Sequence, residues 1–245
     1  YRRQRQMCIR DRTWLDDVEV SAGTLILIRD LTELRDRDRQ LVTKDATIRE
    51  IHHRVKNNLQ TVAALLRLQS RRMSNSDAKD ALKQAMGRVS AIAVVHEILS
   101  QNFEEQVAFD EVADRILHMV GDVAASSGSV VARREGSFGE VPAETATALS
   151  LATTELCQNA IEHSLDSSSG NVIVRPHRTD DALVVDIVSD GKPLPEGFSL
   201  DNHRSSLGLS IVTTLMQDLG GTFTLEDNSD RVGTCARLVI PLQRL

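Results

Sequence analysis

From about residue 31 to 73 the chain has no Gly or Pro, and its apolar residues recur with a helical period. Leu34, Leu41, Ile48, Val55 and Val62 stand seven apart, with Ile51 and Leu65 at the matching d-type positions. Sustained heptads predict a long helix with a seam for a partner helix. At about 1.5 Å per residue it would run roughly 60 Å. Residues 74–76 break it, and Asp77 is expected to cap a second helix with Leu82, Met86, Val89, Ala93 and Leu99 on one stripe. Two stripes of that length cannot both be buried in one hairpin, which predicts a four-helix bundle made by two chains.

Beyond Phe109 the period changes to alternating α and β. Residues 109–125 read as an amphipathic helix and 129–135 as a strand. Pro142 is expected at the first position of a helix running to about Leu165. Residues 171–177 and 182–188 alternate as a hairpin, 191–206 form a long loop, and 207–219 a helix stopped by Gly220 and Gly221. Residues 222–226 and 234–241 close with two strands. Strands on one side and helices on the other predict an α+β class, with an α/β sandwich following the hairpin. Upstream, residues 18–30 read as a short strand pair across a Ser-Ala-Gly turn.

Composition narrows the function. The chain is 41% hydrophobic and 26% charged, a globular balance, but only 3% aromatic. So few rings argue against a single-stranded nucleic-acid platform, and no nucleic-acid partner is expected. Cys8, Cys157 and Cys235 are too scattered for a disulfide framework or a zinc site. The longest aliphatic stretches fall far short of the roughly 20 residues that span a bilayer. The Arg-rich start has no apolar core behind it, so it is not read as a signal peptide. No membrane insertion and a cytoplasmic location are expected. Residues 1–75 carry a net charge of +6 and residues 76–245 a net −12. Residues 1–12, YRRQRQMCIRDR, supply +4 of the basic excess, resemble a translated sequencing-adapter stub and are read as a non-native leader.

Four segments carry chemistry. In EIHHRVKNNLQTVAALL, residues 50–66, His53 falls at the outward f position of the heptad and His52 beside the seam. An outward histidine with Arg54, Lys56, Asn57 and Asn58 around it is placed to accept a phosphoryl group and steady its charge. In TTELCQNAIEH, Glu155, Asn159 and His163 are spaced to share one helix face. A carboxylate and an amide oxygen there are hard ligands suited to Mg²⁺. Each segment alone could be a wet helix face.

The first string resembles the phosphoacceptor box of sensor histidine kinases of the His-Arg-x-Lys-Asn type. The resemblance covers about residues 47–245, with its parts in the family's order. It implies that residues 46–102 are a dimerisation and phosphoacceptor hairpin with His53 as the phosphoacceptor. It also implies that residues 103–245 are an ATP-binding domain of the Bergerat type shared with gyrases and Hsp90. Arg54 stands where commoner histidine kinases place an acidic general base, and Glu50, one turn earlier, is a candidate for that role. A strand followed by a charged helix over residues 13–45 resembles the end of a PAS sensor domain.

The second string resembles the family's N-box, implying Asn159 as the Mg²⁺ ligand, Glu155 as the acidic residue beside the phosphates and His163 at the nucleotide. The third, VSDGKPLPEGF, resembles the G1 box, whose strand-end Asp accepts the adenine amino proton. One register puts that role on Ser189, as strand alternation favours. The other puts it on Asp190, the carboxylate at the turn, which is taken as the adenine partner beside Gly191, with a water through Ser189 as the alternative. The fourth resembles the G2 box. Gly208 and Leu209 open a helix whose free N–H groups favour phosphate, Ser206 replaces a glycine, 194–205 form the lid and Gly233–Thr234 close the site.

The implied function is ATP-dependent autophosphorylation of a homodimer, then transfer to the receiver domain of a response regulator. The alternatives are a dimeric scaffold that no longer binds nucleotide, or a serine kinase of the anti-sigma-factor kind.

Overall fold

The computed structural model describes residues 32–101, 106–125, 130–165, 169–200, 207–228 and 232–242. The leader, the strand pair at 18–30, the end of the lid and Ser206 lie outside them. The chain divides into two compact units, residues 1–48 and 49–245.

Helix α1 spans Thr32–Arg72 and α2 spans Ser76–Gln101. The cap of α2 is Asn75, not Asp77: its Oδ1 accepts the N–H groups of Asp77 at 2.8 Å and Ala78 at 3.3 Å. An amide oxygen one residue before the helix is the geometry an N-cap requires. On α2 the apolar stripe ends in a buried run through Ala91, Val95, Ile98 and Leu99.

The second part is an α/β sandwich. Its five-stranded sheet has the order β2–β4–β5–β7–β6, with β2 (Val130–Arg134), β4 (Gly170–Arg178), β5 (Ala182–Ser189), β6 (Thr222–Asp227) and β7 (Thr234–Pro241). Among the described residues, only β2 and β4 pair in parallel. Helices α3 (Phe109–Ala125), α4 (Ala143–Asn159) and α5 (Leu207–Asp218) complete the second layer. Alternation fixes which side of the sheet is dry: Val172 and Val174, Leu183, Val185 and Ile187, and Ala236, Leu238 and Ile240 are buried. The outer face is polar, as where Arg237 donates to both oxygens of Asp186 at 2.6 and 2.9 Å.

Three further features depart from the sequence reading. Strands β1 (Gln106–Ala108) and β3 (Glu140–Pro142) form an extra antiparallel pair. Three residues are too few to show alternation. Pro142 precedes α4 instead of opening it, because its ψ of 149° is extended. Most consequential, α4 ends at Asn159, and Ala160–Ser164 form a π turn in which Leu165 N–H bonds back five residues to Ala160. Such turns occur mostly as single insertions in α-helices, often at functional sites.

Candidate functional site

His53 is exposed on α1, as its heptad position predicts. The same two turns are pinned to α2 from the inner side. His52 Nδ1 meets His96 Nδ1 at 3.0 Å, and Lys56 Nζ donates to Glu97 Oε1 at 2.7 Å. Burial pulls both imidazoles below the ordinary histidine range, and the neighbouring His52 lowers His96 further. Glu97 also meets Arg115 of α3 at 3.1 Å. Glu50 is engaged by Arg54 Nε at 2.7 Å, and that hydrogen bond holds its carboxyl below the usual range.

Glu155, Asn159 and Gly208 come together. Glu155 is 3% exposed inside α4. A Cβ built on Gly208 would lie 2.7 Å from Glu155 Oε2 and 3.7–3.8 Å from the Asn159 amide. Among the described residues, Asn159 Nδ2 is buried with no hydrogen-bond partner, and a buried donor left unmade is costly enough to ask for an explanation. Leu209 anchors the start of α5 by burying its side chain in the core. His163 does not join this group: the π turn intervenes after Asn159 and His163 is exposed.

The π turn builds the other end of the site. It buries Ser164, whose Oγ lies 2.7 Å from Ser189 Oγ, and Ser189 Oγ lies 2.9 Å from Thr234 Oγ1. Ser189 continues the inward alternation of β5 and is 1% exposed. Asp190 is exposed, and its two oxygens accept Asn171 N and Nδ2, each at 2.6 Å. Of the two registers, strand alternation therefore sets Ser189 inward and Asp190 outward. A side chain on Gly191 would run into the Ser164 carbonyl, and one on Gly233 (φ +139°) into that of Ser189, so both turns need glycine. At the start of the lid, Leu194 N–H bonds Asp227 Oδ1 at 2.7 Å.

Sequence reasoning missed Arg88. From α2 its guanidinium donates to both oxygens of Glu155, Nε at 2.7 Å and Nη2 at 2.9 Å. One turn away Gln84 reaches Glu162 at 3.3 Å. A single charge beside an apolar stripe gave no sign of a partner 67 residues on.

Comparison with known proteins fits this geometry. Residues 50–124 match the family described as "Histidine kinase", and residues 144–244 that described as "Histidine kinase-, DNA gyrase B-, and HSP90-like ATPase". The chain belongs to the sensor histidine kinase family, with a catalytic domain of the gyrase and Hsp90 type. Among relatives, it is 50% identical over 227 residues to the sensor histidine kinase PdtaS of Mycobacterium tuberculosis, across 91% of this chain and 45% of that protein. It is 27% identical to blue-light-activated histidine kinase 2 of Erythrobacter litoralis, across 87% of this chain and 61% of that one. The solved histidine kinase domain of the E. litoralis EL346 blue-light activated kinase superposes with a TM-score of 0.57 at 26% identity, covering 84% of this chain and 94% of that domain. The chain thus spans about half the length of the PdtaS relatives it matches. Among the described residues, no helix is long and apolar enough to cross a membrane.

Proposed function

We propose that this chain is the catalytic core of an ATP-dependent, autophosphorylating histidine kinase. A lone pair on the His53 ring attacks the γ-phosphorus of ATP, the bond to the β-phosphate oxygen breaks, and ADP leaves. The phosphoryl group then passes to an aspartate on a response-regulator receiver domain. The observation that carries the reading is the joining, in one compact unit, of an outward His53 and the Glu155–Asn159–Gly208 cluster.

The residues fit Mg²⁺·ATP. The buried Nδ2 of Asn159, unpaired among the described residues, has a donor to offer a phosphate oxygen, and its carbonyl oxygen suits the cation. When bound, Mg²⁺ would neutralise phosphate charge. Glu155 would stand on the phosphate side, the N–H groups at the start of α5 would bind the phosphates, and Ser189, Gly191 and Thr234 would form the base end. His163 is left at the rim. Apolar Ile48, Ile51, Val62, Leu65 and Leu68 are exposed on α1, and a second copy would cover them in a homodimer.

Incubation with γ-labelled ATP tests this. Acid-labile, alkali-stable label on the chain, transferable to a receiver domain, is expected. Acid-stable, alkali-labile label on a partner protein would favour a serine kinase instead. The outward turn of Asp190 favours a second reading, a scaffold without nucleotide. No affinity at millimolar Mg²⁺·ATP would be its mark.

A further inference from the structure

The base end of the proposed nucleotide site is built from hydroxyl groups. Ser164, Ser189 and Thr234 are 6%, 1% and 8% exposed and form one continuous chain of oxygens, at 2.7 and 2.9 Å. Ser164 Oγ lies 3.1 Å from the Lys192 carbonyl, and Thr234 N–H donates to Ser189 Oγ at 3.3 Å. The carboxylate of Asp190 is held outside by Asn171.

Each hydroxyl has one proton and two lone pairs, so the chain has two proton arrangements on the same heavy atoms, of which the first also keeps the Ser164 bond to the Lys192 carbonyl. In one, Thr234 donates to Ser189, Ser189 to Ser164, and Ser164 to the Lys192 carbonyl. The free valence of Thr234 Oγ1 is then a lone pair. In the other, the hydroxyl protons reverse and the Ser164 bond to the Lys192 carbonyl is given up, at a cost of about 1 kcal/mol. Ser164 donates to Ser189 and Ser189 to Thr234, and Thr234 keeps an O–H for the ligand. A carboxylate at position 189 would abolish the second arrangement, because it only accepts and would hold the Thr234 proton. An adenine presents an amino donor at its 6-position and an acceptor at N1. A guanine presents a carbonyl acceptor and an N1–H donor.

We infer that the Ser164–Ser189–Thr234 hydroxyl chain reads both purines, so that this kinase binds and uses GTP as well as ATP. The inference rests on the nucleotide-site reading above, with Ser189 as the residue that sets base specificity. A hydroxyl at position 189, able to donate or to accept, broadens the choice.

The test measures binding of ATP and GTP with Mg²⁺ to the whole chain, and phosphorylation from each γ-labelled nucleotide. Affinities within about tenfold of one another are expected, less than one well-made hydrogen bond discriminates. Ser189→Asp should restore a preference for ATP of more than about tenfold. Should that buried carboxylate prevent folding, Thr234→Val serves instead, because removing the terminal hydroxyl that the inference sets against the base should weaken both nucleotides by a similar factor. ATP preferred by more than about a hundredfold in the unaltered chain would overturn the inference while leaving the kinase reading intact. A Thr234→Val change that affects one purine alone would overturn it too. No binding of either nucleotide would overturn the kinase reading and this inference together.

Discussion

Gly208→Ala separates the phosphate role of the α5 start from its structural role. The glycine has no positive φ, so the backbone accepts alanine without strain. Alanine in a helix is favoured over glycine by about 1 kcal/mol. The added methyl, however, falls 2.7 Å from Glu155 Oε2, closer than carbon and oxygen approach. Glu155 is not a free end that swings away, because Arg88 grips both its oxygens. Losing one of those charged hydrogen bonds costs about 1.5–3 kcal/mol. The net expectation is a modest stability loss of about 0.5–2 kcal/mol by urea unfolding. Nucleotide affinity should fall much further in relative terms, by more than about tenfold in calorimetric titration with Mg²⁺·ATP, because the methyl also fills the approach to the helix N–H groups. A variant that gains about 1 kcal/mol and binds ATP normally would refute the reasoning, since propensity alone would then account for the glycine.

Two further perturbations probe the joints around the site. Arg88→Ala strips the cation from a carboxylate that is 3% exposed. Breaking a buried pair costs about 3–5 kcal/mol, and the 18% exposure of the Arg88 side chain puts the expectation at the low end. Adding Glu155→Gln to that variant should recover part of the loss in urea melts, and a loss below about 1 kcal/mol would count against a structural pair. The His52–His96 contact gives the fold a pH dependence. Both rings are held below their ordinary value of 6.5, so their contribution is fully present above that pH. It is lost as pH falls through 6.5 towards the lower folded-state values. Thermal melts from about pH 8 to about pH 5 should show this loss, and His96→Gln should flatten it; a profile unchanged by that substitution would contradict the assignment.

Local periods were legible in the sequence, and contacts across the chain were not. The heptad of α1 put His53 outward, and the two-residue period of β5 pointed Ser189 inward, since each follows from a handful of neighbouring residues. Chemistry alone favours Asp190, since a carboxylate is the expected base reader, but the strand period turns that side chain out to Asn171. The π turn left no compositional trace, because it changes hydrogen-bond register within an ordinary helical string, and so His163 was grouped with Asn159. Arg88 with Glu155 and His52 with His96 lie 67 and 44 residues apart, and nothing in a single sequence pairs them.

In the proposed reaction the exposed ring of His53 takes the phosphoryl group. The direct test is site-mapping of phosphohistidine after incubation with Mg²⁺·ATP, beside His53→Gln and His52→Gln variants. The predicted result is phosphate on His53, abolished by His53→Gln and retained in His52→Gln, whose own ring is turned to His96. Phosphate persisting in His53→Gln would contradict the account.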